Sequence, residues 1–223
     1  MNPTQETDLY LVIDESGSMH AQKKTLVNSV HELLQKQKKV GGACRVSLFF
    51  FNEEVREAYR HRSLEDVPML TEDDYIPDCM TALRDAMGHV LDIISTESSS
   101  DMDEQKLVLL VVLTDGEENA SMAVSPEELA RKLEALERIK GQVVYVGSNQ
   151  DAILNGRYAG ATRDSSLRYE DHYLTEAMDS LGNAVARCRS GATDVIRFTD
   201  LERGRSSGSS VLSSSPIASV QTL

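Results

Sequence analysis

Three oxygen-bearing side chains at every second position, Asp14, Ser16 and Ser18, follow one another as the apolar run DLYLVID breaks off into ESGSM. A carboxylate and two hydroxyls spaced in this way, at the end of a strand and ahead of a helix, can all turn toward one point. The small residues Ser16, Gly17 and Ser18 let the backbone come close to whatever sits there. That is the chemistry of a hard-cation seat. Oxygen-only donors exclude the soft-metal readings and favour Mg²⁺, Mn²⁺ or Ca²⁺. One loop cannot complete a six-coordinate shell, so further oxygens are required from elsewhere in the chain.

Two candidates supply them. Asp115 ends KLVLLVVLTDGEEN, a continuously apolar strand of the kind buried on both faces at the centre of a parallel sheet. Sites in such sheets form beyond the carboxyl ends of adjacent strands, where the strand order reverses, so Asp14 and Asp115 are expected to face each other there. Thr81 opens TALRDAMGHVLDII, in which Leu83, Met87, Val90, Leu91 and Ile94 form the apolar stripe of a helix. A hydroxyl at that helix start points into a loop-built site.

Asp-x-Ser-x-Ser, then a Thr, then a strand-ending Asp-Gly, in that order, resembles the metal-ion-dependent adhesion site of the von Willebrand factor type A (vWA) family, over roughly residues 8 to 200. VIDESGSM, LFFFNEEV, TALRDAMG, LTDGEEN and VGSNQDA are similar to segments of its small stand-alone bacterial and phage members. The resemblance implies a Rossmann-like fold. It also implies Ser16, Ser18 and Thr81 as direct or near-direct ligands, with Asp14 and Asp115 holding the ion's hydration shell. The chain departs from the family in one place: relatives usually carry a Gly shortly before the threonine, where this chain has Asp78, Cys79 and Met80. A stiffer loop there shifts Thr81 relative to the ion, and Asp78 is the substitute ligand.

When neutral hydroxyls fill the inner shell, the cation keeps much of its charge and attracts a carboxylate from outside. The expected function is therefore a divalent-cation-dependent protein-interaction module that takes an Asp or Glu of a partner protein. A second reading, carried by the stand-alone relatives, is an adaptor for an ATPase or a stress-response complex. A third is an Mg²⁺-dependent hydrolase, since a bound metal can activate water. Against it, haloacid-dehalogenase-like phosphatases place a second aspartate where this chain has Ser16, and the chain has no Walker A loop, GxSxG elbow or HExxH. The expectation is a protein that is not an enzyme.

A formal net charge of -13 argues against nonspecific nucleic-acid binding and against docking on anionic lipid. Cys44, Cys79 and Cys188 form no CxxC pair, so neither a zinc ribbon nor a disulfide framework is indicated. The polar start and the short apolar runs predict a soluble, cytoplasmic protein with no membrane span. The five histidines show no ligand spacing, and only His20, next to the metal loop, is placed to meet a partner.

Alternating strand and helix signals predict an α/β, doubly wound, mostly parallel sheet with helices on both faces. A helix is expected over Gln22 to Lys38. CRVSLFFFN and EVREAYRHR read as strands joined at Asn52 to Glu54, which gives one antiparallel edge strand. Residues 95–105 read as a mobile loop. SPEELARKLEALERIKG is a helix with Ser125 as cap, Pro126 at its first position and Gly141 as stop. QVVYVGS is the next strand, a last amphipathic helix covers Leu174 to Cys188, and IRFT adds a short strand. Cys44 and Cys188 read as core, Cys79 as a half-buried thiol, and Glu117, Glu118 and Asn119 as solvated. The domain is expected to cover residues 1–202, with a Ser-rich disordered tail over 203–223.

Overall fold

Alternate side chains of β1 (Thr7–Asp14) feed two separate cores, because successive residues of a strand face opposite sides of the sheet. Leu9, Leu11 and Ile13 pack on one side, Tyr10 and Val12 on the other. The computed structural model describes residues 6–98, 106–116, 118–148 and 151–209. After β1 come α1 (Lys23–Lys38), β2 (Cys44–Phe51), β3 (Val55–Ser63), α2 (Leu83–Ser98) and β4 (Leu107–Thr114). Then follow α3 (Pro126–Arg138), β5 (Gln142–Gly147), α4 (Ala152–Tyr158), β6 (Ser166–Arg168), α5 (Leu174–Arg189) and α6 (Asp200–Ser206).

The strands lie in the order β3-β2-β1-β4-β5-β6, and all pairs are parallel except β2 with β3. From β1 the chain passes through α1 to β2 on one side, and it returns through α2 to β4 on the other. The order therefore reverses between β1 and β4, and a crevice opens beyond their carboxyl ends. Leu26, Val30 and Leu33 of α1 and Leu181 and Val185 of α5 cover the first face. Met87, Val90 and Ile94 of α2 and Leu129 and Leu136 of α3 cover the second. Each such side chain stabilises the sheet by about 1.5–3 kcal/mol when fully buried. Cys44 and Cys188 belong to the first core, as expected, whereas Cys79 is exposed. Among the described residues no helix is long and apolar enough to cross a membrane.

The Ser125 cap holds: its hydroxyl accepts from Glu128 N, and Pro126 follows. At the other end of α3 it is Lys140, with φ 58°, that takes the left-handed turn. Gly141 is needed for a different reason, since a Cβ there would lie 2.2 Å from Leu136 Cδ1.

Three expectations are corrected. The strand expected at IRFT does not form: Ile196 and Phe198 are buried in an irregular segment. Its amides are satisfied by Gln142 Oε1 and by the Asp164 carbonyl. The sheet instead gains β6, and α4 precedes it. Of the loop expected over 95–105, residues 95–98 belong to α2 instead; residues 99–105 lie outside the described part. Arg203, expected to begin the disordered tail, lies instead within α6.

Thr199 and Glu202 form a reciprocal capping box at the start of α6. Arg187 of α5 holds both Glu202 oxygens at 2.7 and 2.9 Å. Arg203 donates to the carbonyls of Arg163, Asp164 and Ser166 beside β6. The folded part thus reaches Ser209, and residues 210–223 lie outside the described part.

Side chains lace α5 to α1. The buried Arg189 donates to the carbonyls of Gln37, Gly41 and Gly42 at the end of α1. Gln37 Nε2 returns a bond to the Gly182 carbonyl, and Lys36 reaches Asp179 and Asn183.

Candidate metal centre

Asp14 is the last residue of β1 and is 0% exposed. The Ser16 amide donates to its Oδ1 at 2.7 Å, and the Thr114 hydroxyl donates to Oδ2. Ser16 Oγ and Ser18 Oγ are 3.1 Å apart, and Ser18 Oγ donates to Asp115 Oδ1 at 2.6 Å. The end of β1 and the end of β4 are thus joined through side chains, across the point where the strand order reverses.

Thr81 enters from the third side. A Cβ built on Gly116 would stand 3.1 Å from Thr81 Oγ1 and 3.7 Å from Asp14 Oδ2, so the threonine hydroxyl and that carboxylate meet over Gly116. Any larger residue at 116 would press on that space. All five residues singled out by their chemistry therefore gather around one crevice. Among the described residues no three His, Cys, Asp or Glu side chains are grouped as a metal cage, in keeping with a cluster built from three hydroxyls and two carboxylates.

The loops that carry these groups are tied down by residues whose roles were not legible beforehand. Glu15, buried between Asp14 and Ser16, accepts from Arg56 at 2.6 Å and from the Ile76 amide at 2.6 Å. Arg56 also reaches the Asp74 carbonyl and lies 4.6 Å above the Phe50 ring. The Tyr75 hydroxyl donates to the Asp14 carbonyl.

Asn119, expected to be solvated, receives the Thr81 amide on Oδ1 at 2.9 Å and returns its own amide to the Thr81 carbonyl. Glu118 accepts from the Arg84 amide at the start of α2 and from Ser121. Both belong to a clasp between two loops, and their place directly after the Asp-Gly pair was the available signal. Glu117 lies outside the described residues. Asp78, the alternative ligand, is exposed, and its Oδ1 accepts from the Cys79 amide at 2.8 Å. Cys79 has φ 64°. It therefore adopts, with a side chain, the left-handed conformation that glycine takes at least cost.

Burial pushes the Asp14 carboxyl above its ordinary value, against the lowering effect of the Ser16 and Thr114 hydrogen bonds. Asp115 is pushed up to about 6, first by burial and then by the charges of Asp14 and Asp171, with the Ser18 bond acting against them. Neither carboxylate has a Lys, Arg or His partner among the described residues. The buried Tyr145 hydroxyl, on β5 and within the field of Asp14, finds no hydrogen-bond partner among the described residues. A fully buried acid, a half-buried one, three hydroxyls and no basic partner among the described residues fit a hard divalent cation, because such an ion would provide the missing positive charge and accept only oxygen ligands.

The chain is similar to solved structures that share this layout. Proximal thread matrix protein 1 from the mussel byssus matches at 16% identity and TM-score 0.58, covering 82% of this chain and 47% of that one. A von Willebrand factor type A protein from Catenulispora acidiphila matches at 16% identity and TM-score 0.54, covering 82% and 43%. The ArnB paralog VWA2 from Sulfolobus acidocaldarius matches at 16% and TM-score 0.50, covering 78% and 45%. The chain spans under half the length of these structures, and at such identity the likeness is one of fold. No curated protein matches the sequence. The family model of the von Willebrand factor type A domain matches residues 8–184, most of the chain, and the chain belongs to that family.

Proposed function

We propose that this vWA domain binds a divalent cation, Mg²⁺ first with Mn²⁺ or Ca²⁺ as alternatives, and through it takes an Asp or Glu side chain of a partner protein. Domains of this family are commonly protein-interaction modules rather than enzymes. The finer reading is carried by one observation: Asp14 and Asp115 are linked through Ser16 and Ser18, and among the described residues no Lys, Arg or His pairs with either.

Ser16, Ser18 and Thr81 are the ligands in this reading, and Asp14 and Asp115 orient the water around the ion. Hydroxyl ligands leave the ion electrophilic, so when bound it supplies a positive charge that an external carboxylate can complete. The chain's own part is positional. Glu15 and Arg56 fix the first loop, Asn119 and Glu118 fix the approach of Thr81, and Gly116 keeps the floor of the crevice open.

Titration calorimetry with MgCl₂ tests the first half, and capture of partners in Mg²⁺ against a chelator tests the second. Wild type is expected to take up the ion and Asp14→Ala to lose both uptake and capture. If Asp14→Ala left both untouched, the reading would be wrong.

A further inference from the structure

Resting on the reading just given, we infer that the partner's metal-binding acid is neighboured by a Lys or Arg, and that the loop 76–80 together with the β2–β3 turn receives this basic side chain. The loop is rigidly held beside the crevice. Ile76 N is bonded to Glu15 Oε1, Asp78 N to the Glu15 carbonyl at 2.9 Å, and the Cys79 carbonyl accepts Gly17 N at 3.0 Å. Yet it turns two large apolar side chains outward, Ile76 at 63% and Met80 at 52% exposure, with Met80 next to the candidate ligand Thr81. Apolar side chains kept in solvent by a fixed backbone are a ready contact surface.

The β2–β3 turn lies against this loop, since Ala82 N donates to the Asn52 carbonyl at 2.8 Å. It presents Glu53 and Glu54, both exposed, and Asp78 adds a third exposed carboxylate. Asn52 closes the turn, its amide donating to the Glu54 carbonyl at 3.0 Å and its Oδ1 accepting from the Glu54 amide at 3.0 Å, so both glutamates are carried on the segment bonded to Ala82. None of the three has a basic partner among the described residues, and the nearby Arg56 is committed to Glu15 and the Asp74 carbonyl.

An acidic segment approaching the ion would therefore meet repulsion at the rim. A partner whose acid is flanked by Lys or Arg meets the opposite. The aliphatic stem lies along Ile76 and Met80 while the charged head reaches Glu53, Glu54 and Asp78. The rim thus converts a general affinity for carboxylates into a preference for one sequence context.

Peptides blocked at both ends, Gly-Lys-Glu-Lys-Gly, Gly-Ser-Glu-Ser-Gly and Gly-Asp-Glu-Asp-Gly, are titrated into the Mg²⁺-saturated full chain and followed by amide NMR shifts. The Lys-flanked peptide is expected to bind about three- to tenfold more tightly than the Ser-flanked one, as two or three exposed ion pairs permit. The Asp-flanked peptide is expected to bind weakest. Glu53→Gln with Glu54→Gln is expected to erase the preference, and Ile76→Ser to reduce it.

Equal, Mg²⁺-dependent binding of all three peptides would overturn the inference and leave the metal reading standing. Equal binding of the Lys-flanked peptide in chelator, or of its Gln-for-Glu counterpart, would overturn it as well. So would absence of binding by a protein that takes up Mg²⁺, whereas a protein that takes up no Mg²⁺ removes the metal reading and the inference with it.

Discussion

The two ends of β1 treat a buried carboxylate in opposite ways. At the start of the strand Asp8 is flanked by cations: Arg45 donates at 2.8 and 2.9 Å, and Lys106 Nζ lies 2.6 Å away. Burial works to raise the Asp8 carboxyl, but these partners outweigh it and hold it below its ordinary value. At the far end Asp14 is buried beside Asp115 with hydroxyls alone, and both carboxyls stand above theirs. One acid is matched by the fold. The others have no basic partner among the described residues, and on the proposed reading a bound cation supplies that charge, as expected of a functional site more than of a structural ion pair.

Neutralising each acid puts the contrast at risk. Asp8→Asn removes the carboxylate that Arg45 and Lys106 both contact and is expected to cost about 3 kcal/mol of stability in a denaturant titration. Asp14→Asn removes a charge that the metal-free protein cannot match. It is expected to weaken Mg²⁺ binding by about a hundredfold or more, while the metal-free protein gains about 1 kcal/mol. Equal destabilisation by both substitutions would show that the two ends do the same work.

Three smaller effects sharpen the contrast. Asn119→Ala takes the acceptor from the Thr81 amide, and calorimetry should find Mg²⁺ binding about tenfold weaker with the fold retained. The pH dependence separates the ends by sign. Because the folded Asp8 carboxyl is depressed, its contribution is fully present above the ordinary carboxylate range near pH 4 and is lost as pH falls through the lowered value. Asp8→Asn should accordingly flatten the acid limb of stability against pH. The smallest effect is expected at Cys79→Gly, where relief of the left-handed backbone raises stability by about 0.5–1 kcal/mol, read as a small rise in Tm.

The sheet and its helices were legible because continuous apolar runs and 3.6-residue apolar patterns are local, and the five candidate residues were legible because their oxygens sit at strand and helix ends. Several features that sequence patterns did not reveal depend on partners distant in sequence. Glu15 reads as a spacer until Arg56 and Ile76 N are brought to it. Asn119 reads as solvated until Thr81 is beside it. The strand β6 is too short for a periodic signal, and it owes its place to β5, with Tyr145, Val146 and Gly147 opposite Ser166, Leu167 and Arg168. The start of α6 did carry a local signal, the Thr199 to Glu202 capping box, but the serine-rich composition after it obscured the reading. At IRFT the β-branched and aromatic residues suggested a strand, yet burial alone accounts for them.

The lacing of α5 onto α1 constrains how binding can be signalled. A one-turn slide of α5 would strip Arg189 from the carbonyls that end α1, Gln37 from Gly182, Lys36 from Asp179 and Asn183, and Arg187 from Glu202. A helix bolted at so many points makes a poor piston. On the proposed reading, a message would then be encoded in which molecule is tethered and for how long, with the domain serving as an anvil rather than a lever.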